Sequence, residues 1–140
     1  MTSERLSVLL VEDVRDNSLL AELVLRRGGF DVTAVRTGEQ AIAALDQGKY
    51  DVVALDLILP DVDGLGLAGR LRAAARLAGA PIIAITALAM KGDRERALEA
   101  GCDEYLTKPV DTRTLAEEVA RIVEEYRKAG TAGTAMMNDE

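Results

Sequence analysis

Five short apolar runs, each followed by a stretch of helical periodicity, constrain the fold of this 140-residue chain more than any other feature. The runs are LSVLLV (6–11), FDVTAV (30–35), DVVALD (51–56), PIIAIT (81–86) and EYLT (104–107). The first, third and fourth are almost wholly apolar, as strands covered on both faces of a parallel sheet must be. The stretches between them read as amphipathic helices. Leu19, Leu23 and Val24 mark the apolar face of the first, which stops at Gly28-Gly29. Thr37 and Gln40 stand at capping-box spacing at the head of the second, which ends at Gly48. Residues 64–78 form the third. Gly66 and Gly69 lie inside it at a cost of roughly 1 kcal/mol each relative to alanine, which close packing on the sheet or a frayed first turn would account for. Residues 91–100 form the fourth, closed by Gly101, and Leu115, Val119, Ile122 and Tyr126 give the fifth a 4-3-4 apolar stripe.

This (βα)5 alternation predicts an α/β fold: a doubly wound sheet of five parallel strands joined by right-handed crossovers. One domain over residues 1–127 uses all of the patterned sequence. The remainder, KAGTAGTAMMNDE (128–140), has no periodicity and reads as a flexible tail.

Composition then removes whole classes of function. The chain has no histidine, which excludes Ser/His and Cys/His catalysis, histidine metal sites and phosphorylation on its own histidine. Its net charge of −7 argues against a nucleic-acid partner, because phosphate-backbone binding needs clustered Lys and Arg. The single cysteine, Cys102, has no internal partner and fits a reducing compartment. No apolar run has the ~18 residues of a membrane helix. The N-terminus shows no signal-peptide core. The expected location is cytoplasmic, without a membrane partner.

Against this background Asp56 is out of place. It interrupts the apolar run VVALDLILP, and burying an unpaired carboxylate costs several kcal/mol, even after relaxation. In an open α/β sheet the ligand crevice lies beyond the carboxyl ends of the strands, at the topological switch point. With strand order 2-1-3-4-5, strands 1 and 3 are neighbours. Glu12 and Asp13 after strand 1 then converge with Asp56, at the end of strand 3, on one crevice. Thr86 ends strand 4 and Lys108 follows strand 5. Three acids that close repel one another and call for a cation. An all-oxygen set of few protein groups suits Mg2+, which keeps its waters and pairs with phosphate. Lys108 offers a point charge and Thr86 a hydroxyl to phosphoryl oxygens.

The segments VLLVED, ALDLILPDVDG and AITALAMKGDRERALEAGCDEYLTKPV, in this order and spacing, resemble the receiver domain of bacterial response regulators, over about Leu6 to Arg127. With no appended output domain the chain is similar to the single-domain receivers of chemotaxis and the cell cycle. The resemblance implies a flavodoxin-like fold and a phosphoacceptor role for Asp56. It implies Mg2+ on Glu12, Asp13, Asp56 and the Ile58 backbone carbonyl, and phosphoryl contacts from Thr86 and Lys108. It implies a cis Lys108-Pro109 bond and Tyr105 as the switch aromatic, rotating inward when Thr86 moves. The partner implied upstream is a histidine kinase or phosphotransfer protein. Downstream it is a protein target on the face of residues 88–100, strand 104–107 and the helix from Asp111. Onward relay of the phosphoryl group is open. The chain would be a switch rather than an enzyme, with at most slow self-dephosphorylation, since Ile58 and Leu88 flank the water path and neither orients water.

Two other classes compete. A metal-dependent phosphohydrolase would need a second acid two residues after its nucleophile, where this chain has Ile58. A degenerate, purely protein-binding receiver would lack one of the acids, Thr86 or Lys108, and none is lacking. DVDG (61–64) holds a fragment of a calcium-loop pattern without its remaining ligands. Asp63 as the cap of the next helix is the simpler reading.

Overall fold

The computed structural model describes residues 5–74, 79–87 and 90–138, with side chains as far as residue 129. Five strands, β1 (Ser7–Val11), β2 (Asp31–Val35), β3 (Val52–Leu55), β4 (Ile82–Thr86) and β5 (Glu104–Thr107), alternate with five helices. These are α1 (Arg15–Arg27), α2 (Gly38–Gln47), α3 (Gly64–Ala73), α4 (Asp93–Ala100) and α5 (Leu115–Asn138). The strands form one parallel sheet in the order β2-β1-β3-β4-β5, so β1 and β3 are neighbours, with Val11 beside Leu55.

Strand alternation divides the core in two. Leu9, Val11, Val53, Leu55, Ile82 and Ala84 face α2, α3 and α4. Val8, Leu10, Val52, Ala54, Ile83 and Ile85 face α1 and α5. The α5 stripe packs as expected, with Leu115, Val119 and Ile122 buried. The helix heads also behave as the sequence suggests. Thr37 Oγ1 accepts from the Gln40 amide at 3.1 Å, and Asp63 Oδ1 accepts from the Leu65 amide at 3.4 Å.

Three expectations need correction. Leu19 and Leu23 of α1 are 52% and 51% exposed; the buried positions are Ser18 and Leu25. The leucines are periodic, but they lie on the face turned away from the sheet. The second correction is at α5, which continues as helical backbone to Asn138, beyond the point where a loose tail was expected. Residues 128–138 contain no proline to stop it, and a helix already nucleated on a long buried stripe extends without a new nucleus, against roughly 1 kcal/mol for each of Gly130 and Gly133. Finally, Gly66 and Gly69 both lie on the exposed side of α3, and neither is pressed against the sheet.

At the amino ends of the strands, acids and bases are paired off. Asp103 accepts from the Ile82 amide at 2.8 Å and pairs with Arg72. The Arg72 guanidinium also donates to the Ala80 carbonyl at 2.8 Å and lies 5.8 Å from the centre of the Tyr126 ring. Asp51 accepts from the Ser7 amide and from Arg127, each at 2.7 Å.

Candidate functional site

The opposite, carboxyl edge of the sheet has a different charge balance. Glu12 follows β1, and its amide continues the ladder by donating to the Val35 carbonyl at 3.0 Å. Asp56 follows β3, and its amide donates to the Val11 carbonyl at 2.9 Å. Glu12 is 4% exposed and Asp56 6%. Asp56 is therefore at the mouth of the sheet, still bonded as strand, which is how an apolar run carries it. Carboxylate oxygens of Glu12, Asp13 and Asp56 all lie within 4.8 Å of one another.

Among the described residues one ammonium serves this cluster. Lys108 Nζ donates to Asp56 Oδ2 at 2.7 Å and also to Glu12 Oε1. Its backbone is held by its own amide, which donates to the Thr86 carbonyl at 2.9 Å, and the following bond to Pro109 is cis. Burial pushes the Glu12 carboxyl up, against the opposing pull of Lys108 and the Val14 amide. Burial also works against the Lys108 charge, but its hydrogen bonds to Asp56 and Glu12 outweigh this and hold the ammonium above the usual lysine range.

Three acids around one base leave negative charge in excess at a site that is largely withdrawn from water. The donor set is all oxygen, with Asp13 half-exposed on the solvent side. This fits a hard divalent cation that keeps part of its water shell, as Mg2+ does. Glu12, Asp13 and Asp56 are the side chains that could hold it. Ile58 is in the adjoining loop: its amide donates to Asp56 Oδ1 at 2.9 Å, and its backbone bridges to Asp63.

Thr86 is fully buried at the end of β4. It lies two residues beyond Ala84, whose register partner on β5 is Tyr105. Alternation therefore puts Thr86 and Tyr105 on the same face of the sheet, toward α4. Tyr105, the switch aromatic that the resemblance implies, is inside in this structure. It is already 9% exposed and packs in the core cluster with Ala84 and Ala97, whose small side chains leave room for a ring. Burial pushes its phenol up, with the Asp93 charge adding to the effect. Leu88 lies outside the described residues.

Two features escaped the sequence reading. Val14, Leu19, Leu20 and Leu23 form an exposed apolar surface on and before α1. Beside it a cavity of about 430 Å3 opens between α1 and the β5–α5 connection. Leu20, Ala21, Ile85, Pro109 and Val110 line it together with Asp56 and Lys108. A signal was present: the apolar residues at 19, 20, 21, 23, 24 and 25 go further round α1 than one buried stripe requires.

The response regulator receiver domain model matches residues 8–120. The chain belongs to this family. It is similar to the transcriptional regulatory protein GltR of Pseudomonas aeruginosa, with 40% identity over 92% of this chain and 52% of that protein. It is also similar to the polar-differentiation response regulator DivK of Brucella anthropi, with 34% identity over 81% of this chain and 92% of that protein. Several curated relatives are longer, and the chain spans about half or less of their length. Among solved structures, the receiver domain of the sensor histidine kinase PA1611 from Pseudomonas aeruginosa superposes with a TM-score of 0.78 and 37% identity. That match covers 86% of this chain and 99% of that one, which has a magnesium ion coordinated in its active-site cleft. The family is that of two-component signalling, and its receiver domains are phosphoacceptor switches. No described helix of this receiver is long and apolar enough to cross a membrane.

Proposed function

We propose that Asp56 accepts a phosphoryl group from a phosphohistidine on a histidine kinase or phosphotransfer protein, and that the resulting charge resets a protein-binding face. The observation that carries this is the pairing of Asp56 with Lys108 inside a three-acid cluster. An Asp56 carboxylate oxygen bonds to phosphorus as the donor's N–P bond breaks, and the imidazole departs with its electron pair. Such transfer has a loose, in-line transition state, so the protein mainly positions groups and compensates charge. A bound Mg2+ supplies the charge compensation that lets a phosphoryl dianion approach carboxylates. Glu12, Asp13, Asp56 and the Ile58 carbonyl would hold it. Lys108 then exchanges a carboxylate partner for a phosphoryl oxygen, and the Thr86 hydroxyl takes another.

The donor has to be a separate histidine, since this chain has none. The exposed Leu19, Leu20 and Leu23 beside the cavity that Asp56 lines suit a docking helix of that donor. Output runs through the other face, where Thr86 and Tyr105 lie against α4. Because Tyr105 is already inside, the change at α4, β5 and α5 consists of fixing a populated arrangement rather than turning a ring from solvent. Ile58 at the rim is apolar and cannot orient water, which favours slow self-dephosphorylation. The alternative end of the pathway, onward transfer to another histidine, uses the same site.

The test is acetyl phosphate with Mg2+, read by intact mass. One phosphoryl group per chain is expected, none on Asp56→Asn, and none in EDTA. Equal labelling of the wild type and Asp56→Asn would remove Asp56 from this role.

A further inference from the structure

We infer that Asp61 is a positioning residue for the cation site, acting through the loop that carries the Ile58 carbonyl; this rests on the metal-assisted phosphoacceptor reading above. The loop leaves Asp56 and reaches α3 at Gly64. Its Ile58 side chain is exposed, so Ile58 itself makes no core contact; Leu57 before it and Leu59 after it pack on the core. The Ile58 amide bond to Asp56 and the Ile58–Asp63 bridge fix one side of the loop. Asp61 fixes the other. Its carboxylate reaches out of the loop to α2, where Oδ1 accepts from the Gly38 amide at 2.9 Å and Oδ2 from the Glu39 amide at 3.1 Å. These are first-turn amides with no partner inside their own helix. The bond to Gly38 is the main reason that the Asp61 carboxyl is held below the usual aspartate range.

The fit around this contact is tight on both sides. A β-carbon on Gly38 would come 2.4 Å from Val62 Cγ2, so the loop lies directly on the start of α2. A β-carbon on Gly64 would come 2.2 Å from the Leu57 carbonyl oxygen, so the loop is also folded against itself. The helix does not depend on Asp61 to begin. It has its own cap in Thr37, and Gln40 reaches back to the Arg36 amide at 2.7 Å. What the Asp61 bonds add is the placement of the loop on a helix anchored in the core through Ala41 and Leu45. Residues that orient metal ligands in this indirect way are worth roughly ten- to a hundred-fold in metal affinity.

The test is Mg2+ binding by calorimetry, without any phosphodonor, on the wild type, Asp61→Ala, Asp61→Asn and Thr37→Ala. Thr37→Ala weakens the same helix end but leaves the loop contact intact. Asp61→Ala should weaken Mg2+ binding by roughly ten-fold, Asp61→Asn should be intermediate, and Thr37→Ala should match the wild type. Labelling of Asp61→Ala by acetyl phosphate should be slow at low Mg2+ and recover at saturation. If Asp61→Ala does not fold by its thermal melt, Asp61→Asn carries the comparison. Wild-type affinity in both Asp61 variants would overturn the inference. So would equal weakening in Thr37→Ala, which would make Asp61 a helix cap and nothing more. A wild type that neither binds Mg2+ nor takes a phosphoryl group would sink the phosphoacceptor reading itself, a separate result from normal wild-type behaviour with an indifferent Asp61.

Discussion

The two edges of the sheet both enclose carboxylates, and they do so in opposite ways. At the amino edge each acid has its own base: Asp103 has Arg72 and Asp51 has Arg127, with backbone amides filling the remaining positions. At the carboxyl edge Glu12 and Asp56 share Lys108, and the Asp13 side chain has neither an ion pair nor a hydrogen bond among the described residues. The strands between are the same five. The difference is that one edge is neutralised by the chain and the other keeps an excess of negative charge. A closed set of pairs holds the fold. An unbalanced set costs stability and is kept where function needs it.

The largest effect should come from breaking the closed edge. Arg72→Ala removes the guanidinium from Asp103, the Ala80 carbonyl and the Tyr126 ring together. Asp103 already has its carboxyl raised by burial and would be left with the Ile82 amide alone. We expect a loss of about 2 kcal/mol in urea unfolding, below the figure for fully buried pairs because both side chains keep some solvent contact. The loss should be the same with and without Mg2+, since sites at opposite strand ends share no partners and add independently. A loss that depended on Mg2+ would couple the two edges and break the comparison.

The open edge should respond with the opposite sign. Asp13→Asn removes one of three mutually repelling acids and breaks no pair. Without Mg2+ it should stabilise the protein by about 0.5–1 kcal/mol. In Mg2+ the order should reverse. The wild type gains stability by mass action, by about 2.7 kcal/mol at a hundred-fold excess over its Kd, and the variant gains little. Destabilisation by Asp13→Asn without metal would show that the acids are already compensated and would remove the case for a cation.

The same contrast explains what could be read from the sequence. Strands β1, β3 and β4 were legible because burial on both faces leaves only apolar residues to choose from. Asp56 was legible because it violates that rule, and Glu12, Asp13, Thr86 and Lys108 followed from the topology. The orientation of α1 was not legible. Periodicity reports that Leu19 and Leu23 share a face, but not whether that face meets the sheet or a partner. The burial of Tyr105 was not legible, because it depends on Ala84 and Ala97, on two other elements. Asp61 passed unnoticed in a turn-rich loop, because its partners are backbone amides of α2, which no residue type announces. The run of α5 past Arg127 depends on helix propagation rather than on pattern.

The smallest effect is at Cys102, which reports whether the amino edge is sealed. Cys102 is 5% exposed, and burial, reinforced by the Asp103 charge and partly opposed by Arg72, pushes its thiol from 9.0 to about 11. Below the ordinary thiol value both folded and unfolded chains keep this proton, so Cys102 adds no pH dependence there. Between that value and about 11 the unfolded chain loses the proton while the folded chain keeps it, so stability falls as pH rises through this window. The folded protein should therefore react very slowly with a thiol reagent at mildly alkaline pH, and rapidly once unfolded in urea. Arg72→Ala, by opening the edge, should speed the folded-state reaction, and Asp13→Asn should not. A Cys102 that reacted equally fast in the folded and unfolded wild type would mean that the amino edge is open to solvent, and the contrast with the carboxyl edge would then rest on charge alone.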